Sequence, residues 1–148
     1  MVKYIKVFWK EYTQVENSKY KIKMNRYPED IILEIWEAAD KTQETVLIDC
    51  NELDFSIEID GHENVSNDVV ASFLLHIKEI DNMVQEFCNN SFQKGKFDIR
   101  NYIVSLEWIT FESDKVVMGY WGEFVNIELR AIFSIKNGMW EKIDIYYQ

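Results

Sequence analysis

Three features of the chain predict an α+β fold. Val125, Ile127, Leu129, Ala131, Phe133 and Ile135 alternate with Asn126, Glu128, Arg130, Ile132 and Ser134. A period of two marks a strand with one buried and one wetter face. Val70, Phe73, Ile77, Ile80, Val84 and Phe87 instead recur at steps of three and four, the one-sided stripe of a helix packed on a core. The Asn137-Gly138 pair sits between two strand-patterned runs, where a hairpin turn belongs. The expected architecture is a single domain, residues 1–148. In it an antiparallel sheet (N-terminal hairpin, middle hairpin and C-terminal four-stranded meander) packs against one long helix, with a second short helix.

In chain order, residues 2–12 read as a strand apolar on both faces, and Tyr20, Ile22 and Met24 alternate with lysines in a second strand. Pro28, followed by Glu29 and Asp30, starts a short helix: proline fits a first turn, and acids favour the positive end of the helix dipole. Ile31, Ile32, Ile35, Trp36 and Ala39 continue it to about Asp40, with a strand left open by the β-branched content. Residues 46–50 and 53–60 follow as strands, the second sending Leu53, Phe55, Ile57 and Ile59 inward and Asp54, Ser56, Glu58 and Asp60 outward. Ser66 or Asn67 caps the long helix, and Asn89, Asn90 and Gly95 end it. Residues 102–111 and 115–121 are strands joined at Glu112-Ser113-Asp114. The first places Tyr102, Val104, Leu106 and Trp108 on one face and Ile103, Ile109 and Phe111 on the other, a pattern expected where both faces are covered.

The last hairpin has a predicted register. A two-residue loop sets Phe133 against Lys142, core against solvent. A three-residue loop, Lys136-Asn137-Gly138, pairs Ile135 with Met139, Ala131 with Ile143 and Arg130 with Asp144, and opposite charges at facing positions favour it. In this register Ile143, Ile145 and Tyr147 are buried.

Composition narrows the class. The chain has 148 residues, 47% hydrophobic and 15% aromatic, with one proline and five glycines. That is enough for a packed core and leaves little room for linkers. The N-terminal sequence has no cleavage-site pattern and no secretory apolar run, and no stretch reaches membrane-spanning length, so a cytoplasmic protein without membrane contact is expected. Cys50 and Cys88 lie in unrelated contexts and read as reduced, buried thiols. Glycine-rich phosphate loops, GxSxG elbows and CxxC pairs are missing from the sequence, so no catalytic residue and no cofactor is expected. His76 reads as packing in the long helix. His62, within Asp60-Gly61-His62-Glu63, reads as part of a polar turn rather than a metal site, because no complete ligand set accompanies it.

Charge is distributed unevenly. Residues 1–28 carry a net +5, residues 29–68 a net −12 and residues 69–148 a net −3, within a total of −10. The middle block has thirteen acids and only Lys41 as a base. Asp49, Glu52, Asp54, Glu58, Asp60 and Glu63 fall within fifteen residues that contain no Lys or Arg. Like charges on one face repel, and a basic partner would relieve that repulsion and be steered toward it. Nucleic acid is disfavoured, since its phosphates would meet the face with like charge. These six carboxylates are the candidate partner-binding residues. The competing reading is a solvated face that serves solubility.

Gly119-Tyr120-Trp121-Gly122-Glu123-Phe124-Val125-Asn126-Ile127-Glu128, followed by Phe133 and Gly138-Met139-Trp140, resembles the C-terminal signature of small bacterial α+β proteins, some of them immunity proteins of polymorphic toxin systems. The likeness covers the last third of the chain and implies no binding residue. It implies a cytoplasmic inhibitor that occludes a basic toxin or nuclease domain. Occlusion calls for aromatic anchors within a charged rim, for which Trp36 and the aromatics near Tyr120-Trp121 are candidates, with core packing the favoured reading of each. The alternative is a small-ligand or enzymatic domain with a pocket between the long helix and the sheet, lined by Tyr102, Trp108, Trp121, Trp140 and Tyr146. A structural subunit of a larger assembly would need a sizeable exposed apolar patch. The sequence leaves the oligomeric state open.

Overall fold

The computed structural model describes residues 29–50, 55–93, 104–122 and 127–148. The expected N-terminal hairpin lies outside these residues, as do Glu52, Leu53, Asp54, Gly95, Tyr102, Ile103 and Val125. Helix α1 is Glu29–Ala38, β1 Thr45–Cys50 and β2 Phe55–Asp60. A 3-10 turn, His62–Asn64, leads into α2 (Asn67–Leu75) and α3 (Ile77–Gln93). Strands β3 (Val104–Phe111), β4 (Val116–Gly122), β5 (Ile127–Lys136) and β6 (Met139–Tyr147) complete the described chain. The fold is α+β: the described residues form a six-stranded sheet in sequence order, antiparallel at each of its junctions except the parallel pair β2–β3. That parallel pair requires a crossover, which α2 and α3 provide.

The helices cover one face of the sheet, here called the inner face. Val46, Ile48, Phe55, Ile57, Ile59, Ile109, Phe111, Met118, Leu129, Ala131 and Phe133 are buried there, against Ile32 and Trp36 of α1 and Val70, Phe73, Ile77, Ile80 and Val84 of α2 and α3. Phe73 sits edge-on to both Phe111 and Trp140, at 5.6 and 5.2 Å between ring centroids. Ser66 caps α2 by accepting the Val69 N–H. Phe87, at the end of the predicted stripe, is only partly buried, against Tyr147 at the sheet edge.

Four expectations are corrected. The long helix breaks at His76, whose backbone leaves helical geometry (φ −106, ψ 8). Its N–H still bonds to Ser72 and Phe73 carbonyls, and its ring Nδ1 lies 2.8 Å from the Ser72 oxygen. No proline or glycine marks the break, so the apolar spacing runs through it. The helix also continues past Asn89 and Asn90 to Gln93.

Strand β3 is not apolar on both faces. Leu106 pairs with Tyr120 and Trp108 with Gly119, which leaves Glu107 as an extra residue, a β-bulge. The bulge shifts the phase, so Val104, Leu106, Ile109 and Phe111 are all buried on the inner face and Trp108 alone crosses to the outer one.

The three-residue hairpin loop is also overturned. Asn137 and Gly138 both have positive φ, 53° and 75°, and Lys136 faces Met139 across a two-residue loop. Phe133 therefore does face Lys142, and Arg130 faces Tyr146 rather than Asp144. The mismatch is absorbed one step later by a bulge at Ile143, after which Ala131 faces Ile145. Ile145 is buried, whereas Ile143 is 58% and Tyr147 38% exposed. Turn chemistry outweighed strand phase because β6 is an edge strand among the described residues, where a bulge costs little pairing and twists the edge.

Candidate functional site

The outer face of the sheet, opposite the helices, carries three of the predicted acidic residues, Asp49, Glu58 and Asp60. Outward positions on β1 and β2 alternate with buried ones, so Asp49 and Glu58 are exposed and Asp60 is half-buried on the same side. Asp60 accepts a short hydrogen bond from the Thr45 hydroxyl across the pair. Glu63, on the following 3-10 turn, is exposed. The structure thus assembles Asp49, Glu58 and Asp60 on one side with Glu63 just beyond; Glu52 and Asp54 lie outside the described residues.

Lys41, the single base of the acidic block, is turned away from this surface. Its ammonium donates to the Trp36 carbonyl at 2.7 Å and the Glu37 carbonyl at 3.1 Å, and lies 4.9 Å from the Trp36 ring centroid. A cation at those positions caps the negative end of α1. It therefore contributes little neutralisation to the strand carboxylates.

Next to Glu58 lies an aromatic and cationic stack. Glu58 faces Trp108 across the parallel pair, Trp108 faces Gly119, and Gly119 faces Arg130. The Trp108 indole lies over Gly119, where a Cβ would overlap its ring. The Arg130 guanidinium stacks 4.7 Å from the Trp108 ring centroid and reaches Glu128 at 3.4 Å. Gly119→Ala is expected to push the indole off the strand and cost about 1–3 kcal/mol, the range of overpacking. Combining it with Trp108→Ala should restore part of that loss in urea unfolding. Strict additivity of the two substitutions would contradict the stack.

The sequence-named anchors separate. Trp36 is 1% exposed and donates its indole N–H to Asn67. Tyr120 is 2% exposed, with its hydroxyl 2.9 Å from Asp81 Oδ1. Both are core residues. Trp121 is half-buried on the outer face, between Ser105 and Glu128. The alternative aromatic pocket is not formed as expected: Trp140 faces the helices, while Trp108, Trp121 and Tyr146 belong to the opposite face.

His62 packs edge-on to Trp36 at 5.4 Å, and its Nε2 lies 2.8 Å from the Gln43 carbonyl. Among the described residues, no three His, Cys, Asp or Glu side chains converge to hold a metal ion. The turn's geometry has a packing cause. Gly61 adopts φ 70°, and a Cβ there would overlap the Phe111 carbonyl oxygen, which also accepts from Asn64 Nδ2 at 3.1 Å.

Sequence reasoning missed a buried polar seam. Asp81 and Gln85, one helical turn apart on α3, are 4% and 3% exposed. Gln85 Nε2 donates to Asp81 Oδ1 at 3.2 Å and to the Val104 carbonyl at 2.7 Å, while its Oε1 accepts the Val104 N–H at 3.1 Å. This side chain pairs the backbone at the start of β3. The only sequence signal is that Asp81 and Gln85 each directly follow a stripe residue, Ile80 and Val84. Cys50 and Cys88 are both buried and free, and burial pushes the Cys88 thiol up to about 12. Neither thiol is activated as a nucleophile. Among the described residues, no helix is long and apolar enough to cross a membrane.

Compared with known protein families, curated proteins and solved structures, the chain has no match.

Proposed function

We propose that the protein is a non-enzymatic binding protein that engages a positively charged protein through the outer face of β1 and β2, as an immunity-type inhibitor occludes a basic toxin or nuclease domain. One observation carries this reading: Glu58 and Asp60 share a side with Asp49, with the exposed Glu63 on the turn just beyond, while the only lysine of their block is committed to a helix end. Trp108 faces Glu58 across the parallel pair, and Trp121 lies on the same face two strands from β2. An aromatic centre within a charged rim is the usual anatomy of a protein interface. The buried, free thiols fit a reducing compartment, the cytoplasm in this reading.

The test uses the product of the neighbouring gene, where an inhibited toxin would be encoded. Glu58→Lys combined with Glu63→Lys should slow association about tenfold or more at low salt, because steering by a charged face changes on-rates by roughly 10–1000-fold. The remaining salt dependence should also shrink. Thermal stability should change little, since exposed charges contribute weakly to folding. Unchanged association by the reversed chain would make the acidic face a solvated surface only.

A further inference from the structure

A second surface feature lies at the end of the sheet where the parallel strands β2 and β3 finish. A half-open pocket of about 410 Å³ is enclosed there by the segment entering α2, the β3–β4 turn and the start of β6. This is within the size range of small-molecule sites. Its position also has a topological cause. A strand–helix–strand crossover leaves a crevice between the carboxyl ends of the parallel strands and the amino end of the crossover helix, where ligands collect in open sheets. Here that crevice runs from Ser66 and Val69 of the crossover to Phe111, the last residue of β3.

The lining specifies a chemistry. Val69, Ile135 and Trp140 supply the accessible apolar wall, and the fully buried Phe111 and Val116 lie behind it. The polar rim is the β3–β4 turn, with carboxylates at Glu112 and Asp114 and one base, Lys115, which is 3.4 Å from Glu112. The helix end adds little attraction for an anion, since Ser66 already takes the Val69 N–H and Asp68 stands in the first turn. A rim with two acids and one paired base, on a chain of net charge −10, favours a cationic head group.

We infer that this pocket binds a small organic amine with an aromatic or branched aliphatic body, the body on Val69, Ile135 and Trp140 and the ammonium at Glu112 and Asp114. It lies off the outer face of the sheet, adjoining it only at the His62–Asn64 turn that carries Glu63, and does not depend on the protein-binding reading.

The probe set is 2-phenylethylamine, 2-phenylethanol and 3-phenylpropionate, which share one body and differ in head-group charge. Titration followed by amide chemical shifts should place the amine at Ser66, Val69 and Ser113, about tenfold tighter than the carboxylate, a difference of about 1.4 kcal/mol. The alcohol should fall between them. Glu112→Gln with Asp114→Asn leaves Lys115 as the rim's only charge and should reverse the order. Val69→Phe should fill the pocket and abolish binding of all three, with helical circular dichroism confirming that the variant folds. Tighter binding of the carboxylate by the parent chain, shifts located elsewhere, or no binding of any probe at millimolar concentration would overturn the inference.

Discussion

Ile77→Ala is expected to destabilise the protein by about 2–5 kcal/mol, the range for truncating a large aliphatic side chain in a packed core. Ile77 is fully buried, at the first position of α3 just past the break at His76. It lies where the two halves of the crossover meet, next in the apolar stripe to the buried Phe73 and Ile80. Relaxation into the cavity is limited, because both helices are tied to the sheet: Trp140 Nε1 donates to Ser72 on α2, and Gln85 holds β3 from α3. Urea unfolding of parent and variant measures the difference. A loss under about 0.5 kcal/mol, ordinary for a surface position, would mean that the crossover does not seal the core.

Gly61→Ala is expected to cost a similar amount, about 2–5 kcal/mol, from two added penalties: the left-handed backbone for a residue with a Cβ, and the overlap of that Cβ with a neighbour. The neighbour is the Phe111 carbonyl oxygen, a backbone atom at the end of β3 that cannot swing aside as a side chain would. Relief requires β2 and β3 to separate where their parallel pairing, Asp60 with Thr110, ends. The same shift would withdraw Phe111 from Phe73 and disturb the pocket beside Ser66. Stability equal to the parent would show that this junction is looser than its geometry implies.

The contrast between these positions shows what could be read from the sequence. The buried set of β5, Leu129, Ala131 and Phe133, follows from alternation alone, because that strand is regular. Strand β3 defeated the same logic: one bulge at Glu107 moves Trp108 to the outer face, and a phase shift within a strand looks like two apolar faces. In the last hairpin, local turn preference and strand phase pointed to different registers; the turn prevailed, and the bulge at Ile143 returns an apolar residue, Ile145, to the buried face. The break at His76 left no trace, since the apolar spacing continues across it.

The acidic face was legible at Glu58 and Asp60, where the alternation is clean and outward positions are acidic. Gly119 was visible in the sequence only as part of an aromatic and glycine-rich run. Its role depends on an indole from the neighbouring strand, which only the bulge in β3 brings over it. The pocket at Ser66 and Phe111 was not legible either. It is built from three connections far apart in sequence, brought together by the parallel β2–β3 pairing.

The most direct test of the protein-binding reading is to map the surface that the neighbouring-gene product covers, by amide chemical shifts or hydrogen exchange of this chain in the complex. The expected footprint is the outer face: β1, β2, the turn at Glu63 and the strand positions around Trp108 and Arg130. A footprint confined to the helical side of the sheet, or no complex at all, would contradict it.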